Sequence, residues 1–160
     1  MNQPYCTDIL PIPRAAIEKL VPFGTSWLMV DEVITLQADR IQTRKMLAHD
    51  DPFITGHFAD GPRILPGVLL IEFVSQSAYL LGVLSAPAEV GGDARPRLLA
   101  RCSASFLSPA YAGDTLVAEV TQLECINDVT LYEASVSCGE RLICRARVFG
   151  APARTQEQPA

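Results

Sequence analysis

Several things are scarce in this 160-residue chain, and each scarcity removes a class of function. Charged residues make up only 19%, and 18 acidic against 13 basic side chains leave a net charge of -5. No dense run of Lys or Arg offers a footprint for phosphate backbones, so nucleic acid is not an expected partner. The five cysteines, Cys6, Cys102, Cys125, Cys138 and Cys144, are odd in number and widely spaced. They lack the paired spacing that zinc sites use, so no metal is expected. They read as reduced thiols, and four of them fall in strand-like segments where a small apolar side chain packs well. A Gly-rich nucleotide loop is also missing, so no organic redox cofactor is expected either. Met1 to Leu10 has neither a basic flank nor a long apolar stretch. That is not the pattern of a secretory signal, and a cytoplasmic location is the expectation.

What the chain has in quantity is apolar surface, with 49% hydrophobic residues. At this length one domain, residues 1–150, is expected, with residues 151–160 as a flexible C-terminal tail. The apolar excess points to an enclosed helix or a substantial subunit interface, hence an oligomer. Arg14 to Leu20 has helical spacing after Pro13 and before Pro22. Trp27 to Leu36 and Ile41 to Leu47 predict a first hairpin around Asp39-Arg40. Asp50 to Pro66 holds three prolines and predicts a long loop, the kind that often carries function. Strands are predicted over Leu98–Leu107, Thr115–Ile126, Val129–Cys138 and Arg141–Phe149, with turns at Asn127-Asp128 and Gly139-Glu140. In the last strand Leu142, Cys144, Ala146 and Val148 alternate with Arg141, Ile143, Arg145 and Arg147, which predicts one buried and one largely charged face.

Gly67 to Leu84 is the most apolar segment, bracketed by Pro66 and Pro87, and predicts a helix of about five turns. Eighteen residues just reach across a bilayer, but Glu72, Gln76 and Tyr79 form one polar stripe at i, i+4 and i+7, and no basic flanks mark a boundary. A buried helix in a soluble protein, with no membrane insertion, is the expectation. A long apolar helix among antiparallel strands must be wrapped by the sheet, because neither element hides its apolar surface otherwise. That is an α+β, hot-dog architecture.

Two residues in this layout carry chemistry. His57 lies in the long loop and Glu72 on the helix, fifteen residues on. Singly, His57 reads equally well as a structural hydrogen-bonding histidine, and Glu72 as a carboxylate satisfied by strand amides. Together, an imidazole that removes a proton and a carboxyl group that an apolar helix face keeps neutral suit an elimination. The Gly67 end of the helix adds exposed amides that can polarise a carbonyl oxygen.

The stretch Asp51-Pro52-Phe53-Ile54-Thr55-Gly56-His57-Phe58, then Pro62, then Leu65-Pro66-Gly67-Val68-Leu69-Leu70-Ile71-Glu72-Phe73-Val74-Ser75-Gln76, closely resembles FabZ-type 3-hydroxyacyl-acyl-carrier-protein dehydratases. The resemblance extends through Leu20-Val21-Pro22, Leu28-Met29-Val30-Asp31-Glu32-Val33, Phe106, Pro109 and Gly113-Asp114, covering roughly Leu20 to Phe149. It implies a hot-dog fold and a dimer whose two sites each take the histidine from one subunit and the glutamate from the other. Such dimers commonly assemble into hexamers, as trimers of dimers. It implies His57 as the base at C2 and Glu72 as the acid at the 3-hydroxyl, with Gly67 and Val68 amides holding the thioester carbonyl. Gln76 resembles the family's glutamine that helps fix the carboxyl group, although a bond to some backbone carbonyl is an equal reading.

The implied reaction converts a 3-hydroxyacyl thioester, on acyl carrier protein or coenzyme A, to a trans-2-enoyl thioester in fatty-acid or polyketide-like biosynthesis. Two features depart from the family pattern. Ala59-Asp60-Gly61 stands where Pro-Gly is usual, and Leu107-Ser108 stands where basic residues often meet the carrier protein. Arg63, Arg95, Arg97 and Arg101 are candidates for a substitute patch, or simply solvated charge. Two other readings stay open at this point. One is a hot-dog thioesterase using the same helix-end amides, and the other a non-catalytic hot-dog subunit that holds acyl chains.

Overall fold

The computed structural model describes residues 10–58, 60–85 and 97–153. Seven strands form one antiparallel sheet around a single long helix. In chain order the elements are β1 (Ile12–Pro13), α1 (Arg14–Ile17), β2 (Glu32–Leu36), β3 (Arg40–Met46), α2 (Pro52–Thr55), α3 (Gly67–Ser85), β4 (Arg97–Phe106), β5 (Thr115–Ile126), β6 (Val129–Cys138) and β7 (Arg141–Pro152). The strands lie in the order β1-β2-β3-β5-β6-β7-β4, so the strand that follows the helix ends up at the far edge. This is the hot-dog arrangement.

α3 is long and apolar enough to cross a membrane by length and composition alone, but the sheet packs along it and buries much of its surface. Phe73, Leu80, Leu81 and Leu84 are buried against strand residues such as Ile41, Leu116, Val136 and Ile143. One polar pair is buried with them: Thr43 and Ser77 hydroxyls meet at 2.7 Å. Ser77 donates its own proton to the Phe73 carbonyl at 2.7 Å, so Thr43 is the donor between the two hydroxyls. β3 is thereby pinned to the middle of α3.

The local signals explain most of the strand layout. Asn127 and Asp128 take φ values of 49° and 64°, the left-handed pair that a two-residue hairpin needs, and Gly139 takes 56° in the next turn. Four expectations need correction. The first strand of the predicted hairpin, β2, starts at Glu32 rather than near Trp27, because the backbone of Trp27 to Met29 is already bonded to side chains. The Asp50–Pro66 loop contains a helical turn, α2, whose N-cap Asp51 accepts the Phe53 amide while Pro52 occupies the first turn. Within β7 the strict alternation breaks. Val136 pairs with Cys144 but Ser137 pairs with Leu142, so Ile143 is the extra residue of a bulge and turns into the core. Finally, β7 continues to Pro152, paired with Arg97, so residues 151 and 152 belong to the sheet. Residues 154–160 lie outside the described residues, as do Cys6 and Arg95.

The cysteines also divide. Cys144 is buried, and burial pushes its thiol up to about 11, which keeps it protonated at neutral pH. Cys102 and Cys125 are exposed in the single chain.

Candidate active site

α3 presents two different surfaces to two different cavities. Five residues separate Gly67 from Glu72, and at about 100° per residue that is about 140° around the axis. Gly67 and Leu70 therefore face one way, and Glu72, Gln76 and Tyr79 another.

The first cavity, about 450 Å³, is lined by His57, Phe58, Ile64, Gly67, Phe106 and Leu107, among others. His57 follows α2 and donates its own amide to the Ile54 carbonyl at 3.3 Å. Its Nδ1 lies 2.9 Å from the Ile64 carbonyl oxygen. A carbonyl only accepts, so Nδ1 carries the proton and donates it, which leaves the Nε2 lone pair of the neutral ring free to act as a base. The Ile64 carbonyl is itself held in place, because Ile64 bridges Tyr111 and the neighbouring Leu65 and Ala112 amides bond to Ala110 and Arg63 at 2.9 Å each. Among the described residues no hydrogen bond uses the amides of Gly67 or Val68, as expected for the first turn of a helix. A β-carbon at Gly67 would stand 3.2 Å from the Phe106 ring, so glycine lets the helix end and that ring close on each other.

The Tyr111 turn is fastened by Asp114. Its Oδ2 accepts the Tyr111 amide at 2.8 Å and the Arg141 guanidinium at 2.6 Å. Burial pushes the Asp114 carboxyl up, but the Tyr111 amide, the bond and charge of Arg141 and a Cys138 contact outweigh it and hold it below the ordinary aspartate value. A depressed folded pKa contributes stability that is present above the unfolded value, about 3.9, and lost as pH falls through the folded one. Asp114→Asn should therefore cost about 1–2 kcal/mol at pH 7 in chemical denaturation, with the gap to wild type narrowing below about pH 4. A gap that persists unchanged at pH 3 would show that the charge is not responsible.

The second cavity, about 150 Å³, lies on the other side of α3 and is lined by Phe23, Glu72, Gln76, Tyr79, Leu99 and Tyr132, among others. Gln76 is buried and uses every polar atom of its amide. Its Oε1 accepts the Met29 amide at 2.7 Å, and its Nε2 donates to the Trp27 carbonyl at 3.0 Å and to Glu72 Oε1 at 2.7 Å. The opposite flip would set its oxygen against a carbonyl and a carboxylate, so the orientation is unique. The two sequence readings of Gln76, fixing Glu72 and satisfying a backbone carbonyl, both describe it. The Trp27 indole Nε1 also donates to Glu72 Oε1, at 2.9 Å. Both donors converge on one oxygen, and among the described residues Oε2 has no hydrogen-bond partner. Sequence reading missed Trp27 because its segment reads as a strand, and its being the sole tryptophan was the only signal.

Within one chain, then, His57 shares a cavity with Gly67, while Glu72 shares one with Gln76. The proposed acid and base do not meet in a single subunit. Among the described candidates Arg63, Arg97 and Arg101, Arg97 alone lines either cavity. Arg97 is spent on Asp128 and Gly150 carbonyls and the Thr130 hydroxyl, and Arg101 sits over Phe149 at 5.7 Å. A further concavity of about 490 Å³ lies on the outer sheet face, away from both. Two of its three arginines pair across strands, Arg147 with Glu133 at 2.9 Å and Arg40 with Glu119 at 3.8 Å, as on a solvated face. Among the described residues no cluster of three His, Cys, Asp or Glu could hold a metal.

Comparisons with known proteins show the family. A family profile described as a FabA-like domain matches residues 21–147. The chain is 31% identical over 150 residues to the 3-hydroxyacyl-[acyl-carrier-protein] dehydratase FabZ of Xanthomonas oryzae pv. oryzae, covering 91% of this chain and 95% of that one. It is 28% identical to the FabZ of Dichelobacter nodosus, covering 83% and 91%. Among solved structures, the dehydratase heterocomplex ApeI:P from Xenorhabdus doucetiae superposes with a TM-score of 0.75 at 17% identity, over 91% of this chain and 94% of that chain. With most of its length matched by the family profile and by FabZ sequences, the chain belongs to the FabA-like family, on the side of the FabZ dehydratases.

Proposed function

We propose that the protein removes water from a 3-hydroxyacyl thioester to give the trans-2-enoyl thioester, in sites built between two subunits. The observation that carries the reading is the pair of free atoms on opposite sides of α3: His57 Nε2 beside the helix end, and Glu72 Oε2 beyond the Gln76 clamp. With the thioester carbonyl on the Gly67 and Val68 amides, negative charge developing on its oxygen is stabilised and the C2 proton becomes removable. His57 Nε2 takes that proton, and the C2–H electrons form the C2–C3 double bond. The C3–O bond breaks as Glu72 Oε2 gives its proton to the departing hydroxyl, which leaves as water. Imidazolium and carboxylate remain, and a proton returned from one to the other through water resets the site.

The second subunit is required because α3 separates the two groups, and the surface is prepared for it. Among the described residues β4 pairs only with β7, and nine of its ten residues are exposed. Cys102, Ala104 and Phe106 lie opposite the buried Val148, Ala146 and Cys144, on the core side of the sheet, yet they are exposed among the described residues. An apolar edge strand of this kind invites pairing with a second copy about a twofold axis. Such a dimer sets β4 strands side by side and brings each α3 under the other's edge. Dimers, or hexamers built from them, are the assembly this predicts.

The substrate's carrier is proposed as acyl carrier protein, as the FabZ relatives' names have it for those proteins, within fatty-acid or polyketide-like biosynthesis. The test is to offer purified protein a 3-hydroxyacyl thioester on both carriers. Enoyl product supports dehydration, free thiol would instead support a thioesterase, and no turnover on either carrier would support a subunit that only binds acyl groups.

A further inference from the structure

Trp27 makes a contact that the proposed chemistry has not yet used. Its indole Nε1 donates to Glu72 Oε1 at 2.9 Å, on the same oxygen that Gln76 Nε2 reaches at 2.7 Å. Three further links fix the ring. The Trp27 carbonyl is held by Gln76 at 3.0 Å, the Trp27 amide bonds the Gly24 carbonyl at 2.9 Å, and the ring stands edge-on to Phe53 with centroids 5.5 Å apart and planes at 84°. Trp27 lines neither of the two cavities described above.

We infer that Trp27 is a positioning residue for the dehydration, acting through Glu72: its indole N–H fixes the carboxyl group and stabilises the negative charge that appears there as the proton leaves. The inference rests on the reading of Glu72 as the acid. When Oε2 gives up its proton, the carboxylate charge is shared with Oε1, and a bond from a neutral N–H to a neutral carboxyl oxygen becomes a bond to an ion. Bonds to ionised acceptors are shorter and roughly twice as strong. The gain appears along the reaction and not on substrate binding, so its loss lowers kcat and leaves KM nearly unchanged. Phenylalanine at this position keeps the edge contact with Phe53 but supplies no donor.

Because Trp27 is the only tryptophan, the test can be made at one atom. Replacing it with 3-benzothienylalanine exchanges the N–H for sulfur and keeps the ring's size and contacts. Loss of one bond to a charged group, about 1.5–3 kcal/mol, corresponds to roughly a 10- to 100-fold fall in kcat. That fall, shared by Trp27→Phe, with KM within about twofold, is the expected result. In a Glu72→Gln background the same replacement should change the residual rate no further, because the group it acts through is gone. The single indole N–H resonance of the wild-type protein should move when Glu72→Gln is introduced alone. Full kcat with benzothienylalanine, an unmoved resonance, or an undiminished Trp27 effect in the Glu72→Gln background would each overturn the inference. The two readings separate cleanly: a fully active Glu72→Gln enzyme removes the acid and this inference with it, whereas an inactive Glu72→Gln enzyme beside a fully active Trp27 variant removes this inference alone.

Discussion

His57→Ala should remove dehydration by roughly 10²–10⁴-fold, the range that a positioned general base contributes, and should remove exchange of the C2 proton with deuterated solvent as well. The argument rests on the hydrogen bond from Nδ1 to the Ile64 carbonyl, which commits the ring's other nitrogen to the cavity. Among the described residues nothing else lining that cavity is basic: its neighbours are Phe58, Ile64, Leu65, Gly67, Leu70 and the Phe106–Ala110 segment. Glu72→Gln should lose dehydration to a similar extent, because the amide keeps the bonds from Trp27 and Gln76 to its oxygen but has no acidic proton to release. It should lose exchange less completely, since removing the C2 proton does not require the hydroxyl to leave. Solvent exchange followed by NMR beside enoyl formation separates the two steps. Normal dehydration by His57→Ala would end the proposed mechanism. A concerted elimination would show as equal loss of exchange and dehydration in Glu72→Gln.

The second large effect is a gain. Two inactive proteins, His57→Ala and Glu72→Gln, should regain activity when unfolded together and refolded as a mixture. In an isologous dimer each site takes His57 from one subunit and Glu72 from the other, so a mixed dimer holds one intact site and one doubly altered site. With random pairing half the dimers are mixed, and the mixture should reach about a quarter of wild-type activity per total protein. Sites built within one chain would leave the mixture as inactive as its parts. The geometry favours the shared site, because α3 stands between the two cavities and, among the described residues, the core-side face of β4 is exposed. A charged residue at Ala104, on that bare face, would be the matching control for assembly, with sedimentation as its readout.

Much of this was legible along the chain. The long helix, the four C-terminal strands, the Asn127-Asp128 turn and the His57 and Glu72 segments all follow from periodicity, breaker residues and local motifs. These are interactions among near neighbours, and a sequence displays them directly. Asp51-Pro52 also announced the single turn of α2 through capping chemistry, although prolines and glycines on either side made the whole stretch read as loop.

The rest depended on contacts between distant segments. The inward turn of Ile143 comes from a register shift against β6, which no alternation within β7 could disclose. The segment Trp27–Met29 gave up its strand because Gln76, 47 residues from Met29, supplies the hydrogen bonds a neighbouring strand would have made. The same fold turned an unremarked tryptophan into a donor to Glu72. Sequence spacing also placed His57 and Glu72 fifteen residues apart without saying on which sides of a helix they would stand. Their separation into two cavities was decided by the angle α3 turns between Gly67 and Glu72 and by the sheet that closes around both faces. The sequence determined which chemical groups the protein carries, since those are covalent. Only the tertiary structure decided which atoms are left free, because a side chain's remaining lone pair or proton is whatever its packed neighbours have not already taken.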